Sequence, residues 1–297
     1  MFRAIARFSF VLLAALPVGA AARELHNSDA AAFSAALAPA PQAAARTVSS
    51  APSQGDGGDP WCQEALRNNS NDDRDNACEV RQFTLPRGSV SAETSNGSIR
   101  VTGEDRGDVF VKALVMANAR TQERADEILK EVKIDTSNGL RADGPRNLNR
   151  AGWWVSFRIQ APKTTDVTLR SSNGSLGVTD VSGTMRLRTS NGSIKLMDVG
   201  GDVEADTSNG SVNATLGGRA WQGTGLNVTT SNGSVRVNVP DNYNARLVAG
   251  TSNGSINVDF PITVQGRINR DIDTNLGSGG PTIRLRTSNG SVRVEKR

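Results

Sequence analysis

One tripeptide constrains this chain more than any other feature. Ser-Asn-Gly occurs eight times, with its asparagines at Asn96, Asn138, Asn173, Asn191, Asn209, Asn232, Asn253 and Asn289. Fuller copies read T-S-N-G-S-[IV], and successive asparagines lie 42, 35, 18, 18, 23, 21 and 36 residues apart. Repetition on this scale marks an array or solenoid, in which each unit buries its apolar face only against its neighbours. The three long spacings are close to two units of 18–21 residues. Each is therefore expected to contain a turn that has lost its signature.

The residues around the motif alternate. Two positions before the residue that precedes Ser-Asn-Gly stand Ala92, Ile134, Leu169, Leu187, Ala205, Val228, Ala249 and Leu285. Four positions before it stand Val90, Val132, Val167, Met185, Val203, Leu226, Leu247 and Ile283. Arg, Glu, Thr and Ser dominate between them. After the turn, Ile99, Leu176, Ile194, Val212, Val235, Ile256 and Val292 form a third apolar column. A fourth runs two residues further on, from Val101 to Val294. Period-two alternation with many β-branched residues predicts half-buried strands on both sides of the motif. The second copy departs from the rule, because Leu140 follows Gly139 directly. That corner is expected to be shortened or distorted.

Each unit thus reads as strand, Asn-Gly corner, strand, second corner. The second corners read V-S-G (181–183), V-G-G-D (199–202) and L-G-G (216–218). Glycine and asparagine suit corners that need positive φ or close backbone approach. Two all-β architectures fit. One is an antiparallel meander, since Asn-Gly between alternating strands is a hairpin signal. The other is a parallel β-solenoid of 18–21-residue turns, in which the corner joins two walls of a coil. The solenoid is preferred. A meander of this length with one apolar face needs closure or a covering layer, and the chain supplies almost no helix for one. A coil also stacks its corners, so that asparagine amides pair in a ladder along the axis.

One segment breaks the strand period. In 121–133, Ala125, Ile128, Leu129 and Val132 lie at helical spacing, which predicts an inserted amphipathic helix of about three turns. Solenoid ends expose strand edges and need covering. The segment 60–85 is the expected N-terminal cap, and 86–297 the repeat domain. The segments 140–166 and 261–281 are irregular excursions.

Ahead of the cap, residues 1–22 read as a secretory signal: Arg3 and Arg7, an apolar run from Phe8 to Leu16, then small residues. Residues 23–59, rich in Ala, Pro, Ser and Gly, read as a disordered linker. No later stretch is apolar for long enough to span a bilayer as a helix. Removing residues 1–22 takes Lys+Arg from 34 to 32 against 30 Asp+Glu. With charges of both signs interleaved, this near-balance argues against a nucleic-acid partner. The expected location is extracytoplasmic, either periplasmic or secreted. The two cysteines, Cys62 and Cys78, most simply form a disulfide in an oxidising compartment. That bond is worth about 3 kcal/mol in the loop-entropy model.

Catalytic chemistry finds little footing. The only histidine, His26, lies in the linker, which removes the commonest general base and metal ligand from the repeat. Corner serines have neither a folded histidine nor a G-x-S-x-G elbow to activate them, so they are read as partners of the corner backbone. Asp271 and Asp273 are the one candidate acid pair, as in a carbohydrate-active β-helix enzyme. The calcium β-roll nonapeptide is absent. No cofactor or metal is expected, and the seven N-G-S sequons follow from the repeat. Trp153, Trp154, Trp221 and Tyr243, together with Trp61, sit outside the apolar columns. They are the candidates for stacking on a sugar ring.

The T-S-N-G-S-[IV]-x-V repeats, the Ala161-Pro162-Lys163 entry and the signal-like leader together resemble the putative-adhesin family of bacterial β-strand-repeat envelope proteins. The stretch from Trp61-Cys62-Gln63 to Arg81 looks like the N-terminal extension of its proteobacterial members. The resemblance covers about residues 80–297. It implies a β-solenoid, an extracytoplasmic location and a non-enzymatic adhesive or envelope-associated role, with no catalytic residue to carry over. The leading expectation is an exported solenoid that presents a rigid polar face to a cell-envelope glycan or an envelope protein. A polysaccharide-active enzyme and a structural envelope-stress protein are the alternatives. The sequence leaves the oligomeric state open.

Overall fold

The computed structural model describes residues 58–69, 73–261 and 270–297. The expected signal peptide and nearly all of the linker, His26 included, lie outside the described residues. Four regular coils form the middle of the molecule. Their leading strands are β8 (Val167–Asn173), β10 (Ser182–Asn191), β12 (Gly200–Asn209) and β14 (Gly225–Asn232). Their trailing strands, past the corner, are β9 (Leu176–Thr179), β11 (Ile194–Met197), β13 (Val212–Thr215) and β15 (Val235–Val239). Leading strands pair in parallel with leading strands, and trailing with trailing, always in register. Leu187 lies between Leu169 and Ala205, and Leu196 between Val178 and Ala214. The fold is therefore a two-walled parallel β-solenoid, not a meander.

Among the described residues each wall has ten strands, and the alternating side chains of both meet in one core. Met185, Leu187, Ile194 and Leu196 of one coil are fully buried, and their neighbours Arg186 and Lys195 face outward. Only the outermost copies loosen: Ile134, Ile256 and Val258 are half-buried. Stacked columns of aliphatic side chains remove their surfaces from water, which is the main stabilising contribution to such a fold.

The corner residues divide the labour. Asn173 donates its amide to the Asn96 side-chain oxygen, Asn191 to Asn173, Asn209 to Asn191, Asn232 to Asn209, Asn289 to Asn232 and Asn253 to Asn289, each at 2.9 Å. Seven of the eight asparagines thus form one ladder. Asn138 is outside it, in a distorted corner where Ser137 bonds the Asp135 carboxylate instead. At the same seven corners the residue before Ser-Asn-Gly turns its hydroxyl inward. Thr189, Thr207 and Thr230 donate to the carbonyls of Gly174, Gly192 and Gly210 in the neighbouring corner, at 2.8–2.9 Å. These hydroxyls are buried, and each satisfies a carbonyl that the turn takes out of the strand ladder. Glycine is required by close stacking. A Cβ on Gly192 would meet the Gly174 carbonyl oxygen at 2.1 Å, and one on Gly210 would meet Gly192 at the same distance.

The two ends are built in an unexpected order. β16 (Ala245–Asn253) and β17 (Ile256–Val258) follow β15 in sequence, and β18 (Asp271–Leu276) continues outward, antiparallel to β16. The chain then returns. β19 (Thr282–Asn289) and β20 (Val292–Lys296) slot between the β14–β15 and β16–β17 coils.

The first coil, β2 (Val90–Asn96) and β3 (Ile99–Glu104), is likewise not at the edge. It stacks directly on β8 and β9, and five other strands lie outside it. In the leading wall these are β6 (Leu140–Asp143) and β5 (Lys133–Asp135); in the trailing wall they are β7 (Gly152–Pro162), β4 (Asp108–Ala119) and β1 (Asp75–Pro86).

The long spacings are therefore not coils that lost their signature. They are excursions that build the ends, with antiparallel pairs β1–β4, β4–β7, β5–β6 and β16–β18.

Helices cover the N-terminal end. α2 (Gln122–Glu131), capped by the Thr121 hydroxyl, buries Ala125 and Ile128 against Ala77, Ala117 and Ala119. A second helix, α1 (Pro60–Asn68), starts at Asp59, whose carboxylate accepts from the Trp61 backbone N–H. Cys62 on α1 is bonded to Cys78 on β1, and with Leu114 and Met116 they form a small core on the outer side of the trailing wall. β4 loses its alternation where it is covered on both faces.

Candidate functional site

The outward positions of the trailing wall form a row of cations. The in-register sequence of neighbours is Lys112, Arg158, Arg100, Gly177, Lys195, Asn213, Arg236 and Arg293. At the usual strand separation this row is about 34 Å long. Six of its eight members are basic. Arg100, Lys195 and Arg293 are exposed and have no carboxylate within 4.0 Å among the described residues. Arg236 has one partner, Glu295 at 3.5 Å, and Lys112 has Asp59 at 3.7 Å. Like charges on directly adjacent strands, such as Arg158 beside Arg100 and Arg236 beside Arg293, cost roughly 0.2–1 kcal/mol each.

Hydroxyls border the row. The serine that follows Ser-Asn-Gly in every copy but the second lies one outward position closer to the corner, including Ser98, Ser193 and Ser234, with Ser156 beside Ser98. The other border is mixed: Phe110, Gln160, Thr102, Thr179, Met197, Thr215, Asn238 and, at the far end, the carboxylate of Glu295. The wall thus presents a single file of positive charge with a serine strip on one side and a mixed strip on the other.

The leading wall interleaves its cations with carboxylates. There Arg186 pairs with Asp202 and Glu204 at 2.7 and 3.1 Å, and Arg188 with Glu204 and Asp206 at 3.3 and 3.4 Å. Partial burial, followed by the Glu204 charge, raises the Asp206 carboxyl above its ordinary range despite Arg188. Arg246 grips Asp273 with two hydrogen bonds, at 2.9 and 2.6 Å. Those bonds hold the Asp273 carboxyl below its usual pKa, so it stays ionised where a general acid would need a proton. Asp271, on the same face of β18, is exposed. On this wall Arg186, Arg188 and Arg246 are paired with carboxylates, whereas Arg170, Arg284 and Arg286 are exposed with no carboxylate within 4.0 Å among the described residues.

At its N-terminal end the cation row runs under α1. A cleft of about 270 Å³ opens there between the helix and the strands β3, β4 and β7. Trp61, Glu64 and Asn68 line it from the helix, and Arg100, Arg158, Ser98, Ser156, Leu114 and Trp154 from the wall. The Arg158 guanidinium lies over the Trp61 ring, 3.9 Å from its centroid.

The aromatic candidates separate cleanly. Trp154 faces outward into the cleft, and its neighbour Trp153 faces the other way, packing on the core with its indole N–H donated to the Pro145 carbonyl. Trp221 and Tyr243 do not offer a face to any ligand. They are 3 % and 2 % exposed, tucked into the core from the loops that close the second corners, with the Trp221 N–H bonded to the Gly201 carbonyl. Trp61 lies beside Trp154, because α1 brings it there. The corner asparagines are exposed, and all but Asn138 are joined to one another through their side-chain amides.

Residues 73–295 match the model of the Toastrack DUF4097 family. This chain belongs to that family. The Toastrack fold of this chain is similar to solved structures of low sequence identity. One is a putative cell adhesion protein from Clostridium sporogenes, 13 % identical, with a TM-score of 0.44, covering 75 % of this chain and all of that one. Another is a putative adhesin from Bacteroides fragilis, 13 % identical, with a TM-score of 0.39 and coverage of 74 % and 97 %. A third, from Parabacteroides distasonis, is described as a putative lipid binding protein, at 10 % identity, a TM-score of 0.29 and coverage of 73 % and 96 %. No curated protein matches the chain. Within this Toastrack domain the described residues hold no cluster of three or more His, Cys, Asp or Glu placed for a metal, and no helix long and apolar enough to cross a membrane.

Proposed function

We propose that this Toastrack protein is an exported, non-catalytic binding protein of the cell envelope, periplasmic or secreted, that holds an anionic polysaccharide along its trailing wall. One observation carries the reading: the row of cations from Lys112 to Arg293, most of them without a protein counter-charge. An anionic chain laid along the row would offset the repulsion between neighbouring guanidiniums. The serine strip on one side, with Thr102, Thr179 and Thr215 on the other, suits the hydroxyl groups of sugars. A single-stranded nucleic acid would call for aromatic platforms spaced along the row, and among the described residues the aromatics on the outer side of this wall, Trp61, Trp154 and Phe110, stand at one end. The signal-like leader and the cystine support the export.

Polygalacturonate and neutral dextran, offered to the purified protein at low and high salt, test this reading. Binding is expected for the uronate polymer alone, and to weaken as salt rises. Lys195→Glu together with Arg293→Glu is expected to lower the affinity at least about tenfold without altering the circular dichroism spectrum. Equal retention of both polymers, or an unaffected double variant, would overturn it. Cell fractionation tests the location: mature protein in the cytoplasm would contradict it.

A further inference from the structure

We infer that the cleft under α1 is a terminal subsite that holds the last acidic sugar of that polysaccharide, so that the protein reads chain ends. The inference rests on the proposed binding of an anionic glycan to the trailing wall. Three features of the cleft carry it.

The cleft first has the composition of a sugar site. The Trp154 indole faces into it together with the apolar Leu114, and an indole presents a flat apolar surface that fits the face of a sugar ring. Ser98, Ser156 and Asn68 add hydroxyl and amide partners for ring hydroxyls. Two guanidiniums, Arg100 and Arg158, supply the planar donor forks that match a carboxylate. Glu64 is the one carboxylate on the rim, so the site keeps a net positive charge.

Secondly, the cleft is part of the row. Arg158 and Arg100 are its second and third members, on neighbouring strands in direct register. An anionic chain following the cations from Arg293 toward Lys195 and Arg100 is led into the cleft.

Thirdly, the row stops there. α1 lies across the outer side of β4 and is fastened by the Cys62–Cys78 bond and the Leu114–Met116 core. Lys112, the cation beyond Arg158, is already engaged by Asp59 at the start of the helix. A polymer entering from the open side meets the helix and ends. The Arg158–Trp61 stack holds one guanidinium at this closed end before any ligand arrives.

Oligogalacturonates of increasing length, titrated into the full-length protein by calorimetry, test this. End recognition predicts one protein per chain at every length. A binding count that rises with chain length overturns the end-reading and leaves the row standing. Arg100→Ala and Trp154→Ala are each expected to weaken the shortest oligomer at least about tenfold, with unchanged circular dichroism. Arg100 is exposed, so its variant remains informative if Trp154→Ala disturbs packing. Unchanged affinity of the Arg100→Ala protein for the shortest oligomer also overturns the inference. Absence of any binding by the unmodified protein at low salt overturns both the subsite and the proposed function.

Discussion

Asn289 donates its side-chain amide to Asn232 at 2.9 Å across 57 residues of chain, and Asn253, which precedes it in sequence, lies on its far side. The last coil of the chain is therefore an interior coil of the solenoid. In most repeat arrays the sequence-terminal unit has one neighbour, and its loss removes one interface. Here β19 has β14 on one side and β16 on the other. Truncation after Gly280 is expected to strip the β16–β18 end of its attachment as well, abolishing cooperative unfolding and exposing residues 245–276 to protease. A truncated chain that melts cooperatively within a few degrees of the full chain would contradict this.

The corner makes a sharper prediction about side-chain size. Gly192→Ala places a methyl about 2.1 Å from the Gly174 carbonyl oxygen, a backbone atom held in a hydrogen-bonded stack. Overpacking of this kind costs about 1–3 kcal/mol, and the rigid neighbour puts the expected loss at the upper end. Asn209→Ala removes two exposed ladder bonds, whose net worth is about 1 kcal/mol in total. Asn138→Ala, off the ladder, is expected to be neutral. Urea unfolding of the three variants should rank them in that order.

Much of this was legible in the chain. The inward columns, from Val90 and Ala92 to Val292 and Val294, gave the two walls, and the repeated Thr-Ser-Asn-Gly gave the stacked corners. The order of the coils was not legible. The corner around Asn289 is chemically identical to that around Asn253, so nothing local says which one stacks on Asn232. Helix α1 carries a start signal in the sequence: Asp59 followed by Pro60, a cap residue and a proline suited to the first helical turn. Arg100, Lys195, Arg236 and Arg293 recur at one outward position and were visible as a column. Arg158 and Lys112 join them only through β7 and β4, strands without a corner motif. Trp221 and Tyr243 lie in loops, and loops read as exposed until the solenoid shows an open corner for them to fill.

Tyr243 gives a prediction in pH. It is the chain's only tyrosine, it is buried, and burial pushes its hydroxyl up to about 12 from 10.0. A folded pKa above the unfolded one means that the folded state holds the proton more firmly. The contribution is complete below pH 10 and is lost as pH rises from about 10 to 12. The full effect is on the order of 2 kcal/mol. Phenolate absorbance should titrate with a midpoint well above that of free tyrosine. Tyr243→Phe should flatten the fall of stability in this window. A midpoint near 10 in the folded protein would refute the assignment.

The disulfide separates the cap from the coils. Cys62–Cys78 closes a 16-residue separation and fastens α1 to β1. A loop of that size is worth about 3 kcal/mol in the chain-entropy description. Within α1, only Cys62 is buried, and no corner ladder reaches the helix. The middle coils keep their amide ladder, their threonine bonds and their aliphatic columns whether or not the bond is present. Cys62→Ser with Cys78→Ser is therefore expected to release α1 without melting the solenoid. Hydrogen exchange should quicken in 60–68 and stay slow in β10, β12 and β14. Tryptophan fluorescence should change as Trp61 leaves Arg158. Binding of the shortest uronate oligomer should fall together with α1 protection, because the helix forms one side of the cleft. Exchange that quickens equally in the central coils would mean that the bond supports the whole fold.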